Sequence, residues 1–207
     1  MLYGGICFIT DSRFRQYMVE ETVRMALDAG IAWIQYREKE LTRKEIYYQA
    51  EKLRRITEEY RAILIINDHA DIALSVDAQG VHLGQEDLPL KEARKIMGPR
   101  IIGISTHNKA EALEAQKGGA DYIGFGPIYP TTTKEDAHVP KGISGLSEIR
   151  QVINIPVVAI GGIRPENLED IFQAGASAVA VASAILDSDD PYARAVEFVR
   201  IIERIKG

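Results

Sequence analysis

The chain has 207 residues, 46% of them apolar and 27% charged, and a net charge of -5, the profile of one globular domain with a sizeable core. That acidic balance argues against a nucleic-acid partner, whose phosphates require clustered Lys and Arg. A single cysteine, Cys7, excludes a disulfide framework and a cysteine zinc site, and its apolar neighbours mark it as a small buried hydrophobe.

No stretch approaches the roughly 18 uninterrupted apolar residues of a membrane span. The first residues, M-L-Y-G-G-I-C-F-I-T, lack the basic region of a signal peptide. The expectation is a cytoplasmic protein that acts on small molecules, with no membrane partner and with homo-oligomerisation left open.

In chain order, short apolar runs bounded by Gly, Asp or Asn predict strands at Gly5–Thr10, Trp33–Arg37, Ala62–Asn67, Gly80–Leu83, Ile101–Ser105, Tyr122–Gly126, Val157–Gly161 and Ala178–Ala182. Helical spacing lies between them. In Thr42–Tyr60, for instance, Ile46, Ala50, Leu53 and Ile56 recur among charged residues. Three turns of one type, around Gly30, Gly119 and Gly175, close a helix with glycine and lead into a strand. Strands alternating with helices, with no linker or shift of composition, predict an α/β protein: a single-domain (β/α)8 TIM barrel over residues 1–207. An open doubly wound sheet would carry a Gly-rich fingerprint after its first strand, where this chain reads T-D-S-R.

Chemistry in such a barrel gathers at the C-terminal ends of the strands. After the second strand, Gln35, Arg37 and Lys39 alternate at period two, which sets an amide and two cations on one face and suits a polyanion such as pyrophosphate; a solvated strand end is the plainer reading. After the third and fourth strands stand Asn67, Asp68 and Asp87, hard oxygen donors of the kind that hold Mg2+ beside a phosphate. Each aspartate has an alternative reading as a helix cap, Asp68 near His69 and Asp87 before Pro89. Gly162, after the seventh strand, and Ala182-Ser183, after the eighth, occupy the position of the recurrent phosphate site of these barrels, where backbone N–H groups meet an anion. The stretch G-F-G-P-I-Y-P-T-T-T-K after the sixth strand adds three hydroxyls and an ammonium group. Two anion sites with a metal near one of them imply two phosphorylated substrates.

The segments Q-Y-R-E-K, I-I-N-D-H-A-D-I-A-L, G-V-H-L-G-Q-E-D-L-P, I-G-I-S-T-H, G-P-I-Y-P-T-T-T-K and P-V-V-A-I-G-G-I appear in this order and resemble the thiamine-phosphate synthase family over about Ile9 to Ile185. The resemblance implies a transferase that joins hydroxymethylpyrimidine diphosphate to a carboxylated thiazole phosphate and releases pyrophosphate and CO2. It implies that Gln35, Tyr36, Arg37, Glu38, Lys39 and Asn67 hold the pyrimidine diphosphate, and that Asp68 and Asp87 ligate Mg2+. It further implies that Ser105 touches the pyrimidine and that Lys134 reaches the diphosphate. Thr131, Thr132, Thr133, Gly162, Ala182 and Ser183 would bind the thiazole phosphate. Arg37, Lys39 and Lys134 are then the catalytic cations. Tyr36 replaces a usual Leu and is expected to point away from the cations.

Two other readings remain beside it. A related thiazole tautomerase carries a histidine after the sixth strand, where this chain has Pro127 after Gly126; a phosphate-ligand sensor on the same barrel would need fewer of the charged residues. The histidines follow no H-x-x-x-H or H-E-x-x-H pattern, which argues against a zinc hydrolase. His82 is expected to be a satisfied core or rim residue, and the segment after Thr133 is expected to close over the site.

Overall fold

In the computed structural model, which describes residues 5–14, 17–131 and 139–207, the predicted apolar runs are the strands of a closed parallel barrel. β1 (Gly5–Ile9), β2 (Trp33–Tyr36), β3 (Ile63–Asn67), β4 (Gly80–Leu83), β5 (Ile101–Thr106), β6 (Tyr122–Phe125), β7 (Val157–Ile160) and β8 (Ala178–Val181) pair in chain order. The ring closes where β8 pairs with β1, from Gly5–Ala178 to Phe8–Val181.

Between and after the strands come α1 (Val19–Asp28), α2 (Arg43–Glu59), α3 (Ala70–Ser75), α4 (Leu90–Met97), α5 (Lys109–Lys117), α6 (Gly142–Val152), α7 (Leu168–Gln173), α8 (Ser183–Leu186) and α9 (Pro191–Lys206). Local chemistry starts several of them. Thr42 and Glu45 form a reciprocal capping box at α2, Asn108 accepts from the Glu111 N–H at α5, and Asp190 caps α9 one residue before Pro191. The three predicted glycine turns are as read: Gly30, Gly119 and Gly175 have φ of 96°, 86° and 98°, where a side chain would be strained. Among the described residues, no helix is long and apolar enough to cross a membrane.

The period of two along each strand separates two apolar layers. Phe8, Ile34, Tyr36, Leu64, Ile66, Val81 and Leu83 face outward and join Ile46, Ala50 and Leu53 of α2 in one sheet-to-helix core. Cys7, Ile9, Trp33, Ile65, Tyr122, Val158, Ala178 and Ala180 face inward. Cys7 is the buried small hydrophobe expected of it, its thiol pushed far up by burial.

Small residues make room inside. A Cβ on Gly103 would lie 2.1 Å from Tyr122 Cζ, and one on Gly124 would lie 3.2 Å from His82 Cε1, so two rings fill the space those glycines leave. Gly103→Ala therefore overpacks the interior, and the expected loss of stability is about 1–3 kcal/mol. Urea unfolding checks this; an unchanged midpoint would show that the Tyr122 ring yields at no cost.

Candidate active site

A cavity of about 650 Å³ opens at the C-terminal ends of the strands and reaches down to Cys7, Trp33 and Tyr122, a size suited to small-molecule ligands. Gln35, Arg37, Asn67, Ser105, Thr131, Gly162, Ala182 and Ser183 all line it. These residues come from six different strand ends and meet only because the sheet closes. Thr132, Thr133 and Lys134 lie outside the described residues, as does the first part, up to residue 138, of the segment expected to close over the site.

Arg37 is set by its backbone. Its N–H donates to Thr10 Oγ1 at 2.9 Å, and the Thr10 hydroxyl donates to its carbonyl at 3.1 Å. Beside it, Asp11 is buried to 1% side-chain exposure and takes a two-pronged contact from Arg13, with Nη2–Oδ2 at 2.6 Å and Nε–Oδ1 at 3.0 Å. Burial acts to raise the Asp11 carboxyl, but the hydrogen bonds and charge of Arg13, with the charge of Arg37, hold it below the usual carboxylate range.

A carboxyl depressed in the folded state contributes stability that is present above its unfolded value, about 3.9, and lost as pH falls through the lower folded value. Asp11→Asn should therefore remove stability at neutral pH and flatten the acid limb of unfolding below about pH 4. Thermal midpoints measured from pH 2 to 7 test this; parallel curves for the two proteins would discount the pair.

Next to the cavity, Glu38, Lys39, Asp68 and Asp87 line a second depression. Glu38 turns back on its own loop, its Oε1 accepting the N–H groups of Lys39 and Glu40. Asp68 sits at φ 65° in a tight turn closed by His69 N–H to the Asn67 carbonyl, a conformation non-glycine residues seldom adopt and one that recurs at functional sites. Neither aspartate caps a helix. His69 precedes α3 and Pro89 precedes α4, each without a side-chain cap, while Asp87 Oδ2 accepts the Gly84 N–H at 2.6 Å.

The two carboxyls share a hydrogen bond, and Lys39 Nζ lies 2.5 Å from Asp68 Oδ2. Burial raises Asp68, yet the hydrogen bonds from Lys39 and Asp87 outweigh it and hold Asp68 below the usual range. Burial pushes Asp87 up, and the hydrogen bond and charge of Asp68 add to it against the pull of the Gly84 N–H. Two neighbouring carboxyls oppose each other's ionisation; a divalent cation between them would relieve that. Among the described residues, no third His, Cys, Asp or Glu completes a metal cluster. The donor set therefore fits an ion that takes one or two carboxylates and fills its shell with water and phosphate.

Across the barrel, β7 ends in Gly161 and Gly162 with φ of 96° and 64°. Their absent side chains serve packing against the segment after β6. A Cβ on Gly161 would be 2.5 Å from Pro127 Cβ, and one on Gly162 would be 2.6 Å from the Pro130 carbonyl oxygen. Ile128 N–H to Ile160 O (2.9 Å) and Tyr129 N–H to Gly161 O (3.0 Å) join the two loops. The Gly126–Pro127 bond within that segment is cis. Ala182 and Ser183, at the start of α8, complete this wall, with Arg164 and Arg194 also on the cavity.

One sequence expectation is corrected. Tyr36 points away from the cations as expected, and so does not make the substrate contact that the Q-Y-R-E-K match implies: it belongs to the sheet-to-helix core, and its hydroxyl donates to Gln49 of α2. The cause is parity: Gln35 faces inward, so its neighbour on the strand faces outward. His82 is satisfied as expected, between Tyr122 and Ser105. The sequence reading gave no role to Thr10, Asp11, Tyr122, Arg164 or Arg194. Strand-end position could have found the first two in T-D-S-R, and inward parity the third; the arginines reach the cavity only through the tertiary fold.

The family model described as thiamine monophosphate synthase matches residues 6–185. A thiamine-phosphate synthase of Archaeoglobus fulgidus is 45% identical over 205 residues, covering 99% of this chain and 96% of that protein. One of Dictyoglomus thermophilum is 45% identical over 188 residues, 90% of this chain and 84% of that protein. The solved structure of a thiamine phosphate pyrophosphorylase from Pyrococcus furiosus superposes with a TM-score of 0.91 at 39% identity, covering 100% of this chain and 98% of the other.

Proposed function

From the premise that this chain belongs to the thiamine monophosphate synthase family, and is a transferase that makes thiamine phosphate, we propose how its barrel mouth divides that work. The pyrimidine diphosphate lies toward β2, β3, β4 and β5, with Gln35, Asn67 and Ser105 near the ring and Arg37, Lys39 and Lys134 near the diphosphate. The thiazole phosphate lies toward β7 and β8, against Gly162, Ala182, Ser183 and Thr131 to Thr133. The observation that carries this reading is the single cavity joining Arg37 and Asn67 to Gly162 and Ser183. β3 and β7 stand four strands apart in the eight-stranded ring, so two substrates held there face each other.

The diphosphate leaves with the electron pair of its C–O bond, and the aminopyrimidine spreads the resulting positive charge. The thiazole nitrogen then donates its lone pair to that carbon, and a carboxylated thiazole goes on to lose CO2. Asp68 and Asp87 would hold Mg2+, which supplies positive charge to the departing diphosphate when bound. Arg37, whose backbone Thr10 holds, presents a fork of donors from the rim to the developing charge. Lys39, paired with Asp68, would be free to meet phosphate where a cation held that carboxylate. Holding both rings in one mouth makes their encounter effectively unimolecular. No protein nucleophile is required.

Purified protein mixed with Mg2+, hydroxymethylpyrimidine diphosphate and carboxylated thiazole phosphate is expected to yield thiamine phosphate and pyrophosphate in equal amounts. Tight binding of both substrates without product would favour the sensor reading instead. The tautomerase reading is opposed by Pro127, which stands in the loop after β6 where that enzyme has its histidine.

A further inference from the structure

The interior carries a polar chain of which two members, His82 and Tyr122, have no task in the reaction above. His82 of β4 is buried, its Nδ1 2.9 Å from the Tyr122 hydroxyl and its Nε2 2.9 Å from Ser105 Oγ. The register places Gly103 between His82 and Tyr122, so ring, glycine and ring alternate across β4, β5 and β6. Tyr122 is braced edge-on against Trp33 at 5.2 Å between centroids, and the Ser105 carbonyl takes the Gln85 amide at 2.5 Å. Polar groups inside an apolar barrel are costly unless bonded. A leucine at position 82 would fill the space without that demand.

We infer that His82 is a positioning residue for the pyrimidine: Nε2 accepts the Ser105 hydroxyl hydrogen, Nδ1–H donates to Tyr122, and Ser105 thereby turns its lone pairs into the cavity. The inference rests on the reading that Ser105 faces the pyrimidine. A neutral imidazole carries one N–H, and which nitrogen holds it decides whether Ser105 shows the cavity an oxygen lone pair or a hydrogen. As the diphosphate departs, positive charge spreads into the aminopyrimidine. A lone pair aimed at that charge stabilises the state, whereas an outward hydrogen opposes it. The Tyr122 hydroxyl, 2.9 Å from Nδ1, can accept Nδ1–H and so completes the chain in the productive tautomer.

NMR of the full chain with 15N-labelled histidine reads the tautomer directly. Protonated Nδ1 with bare Nε2 is expected at His82, and protonated Nε2 overturns the inference. In the coupling reaction, His82→Leu should lower kcat about tenfold, the scale of one oriented hydrogen bond, with little change in KM for the pyrimidine diphosphate. His82→Gln, whose side-chain carbonyl can take the Ser105 hydrogen, should recover most of that loss. In a Ser105→Ala background, His82→Leu should cost nothing further, because its effect passes through the hydroxyl. Losses that multiply, or a glutamine no better than leucine, overturn the inference. If His82→Leu does not fold, Tyr122→Phe carries the same cycle: a fall in kcat that vanishes without Ser105 supports the chain, and a fall that persists refutes it. A wild type that makes no thiamine phosphate sinks the underlying reading and this role together, an outcome distinct from an active enzyme in which His82 and Ser105 act independently.

Discussion

Replacing Asp87 by Asn should lower turnover by on the order of 10³-fold at fixed Mg2+, a loss equivalent to the several kcal/mol that a metal supplies to developing charge. The substitution is chosen for what it keeps. Asparagine retains an oxygen for the Gly84 N–H, the bond that holds the β4 loop at 2.6 Å, but removes the charge that would bind the cation. The thermal midpoint should therefore stay near that of the wild type while the Mg2+ concentration for half-maximal rate rises steeply. Asp87→Ala removes the loop anchor as well, so comparing the two separates metal binding from loop geometry. Normal turnover by Asp87→Asn would withdraw the metal assignment.

Arg37→Ala is expected to lower kcat/KM by about 10²- to 10³-fold, the scale seen when one preorganised electrostatic donor is lost. Arg37→Lys should recover little of it, because an ammonium group is a point charge without the planar fork that grips two oxygens. The structure adds a control. Thr10 holds the Arg37 backbone from both sides, so Thr10→Val should show a weaker form of the same defect while leaving the guanidinium in place. Steady-state kinetics on the three variants test the order Ala, Lys, Val from worst to mildest. A threonine variant as damaged as the alanine one would mean that Thr10 acts by itself and not through Arg37.

Most of the barrel was legible because its signal is local and periodic. Each apolar run became a strand with its end displaced by no more than a residue or so, and the three glycine turns appear where the chain must reverse after a helix. The strand-end rule also located much of the site, since Gln35, Arg37, Asn67, Ser105, Gly162 and Ser183 meet in one cavity. Where a contiguous motif was read as a unit, it misled: Q-Y-R-E-K sends Gln35 and Arg37 to the cavity, Tyr36 to the core, and Glu38 and Lys39 to the neighbouring depression. The glycines after β7 were read as room for a phosphate, yet their missing Cβ atoms first make room for Pro127 and Pro130.

The sequence by itself determined the alternation of strand and helix, the parity of each strand and the side of the barrel on which charged residues collect, because these follow from spacing along one chain. Only the tertiary structure decided which residues meet. Closing β8 onto β1 brought β3 and β7 to face each other, put His82 between Tyr122 and Ser105, and set Lys39 against Asp68. Only the β8–β1 pairing joins the two ends of the chain, but every one of these contacts crosses between strands, and their distances depend on barrel closure and on the small residues that leave space inside it, which no local pattern encodes.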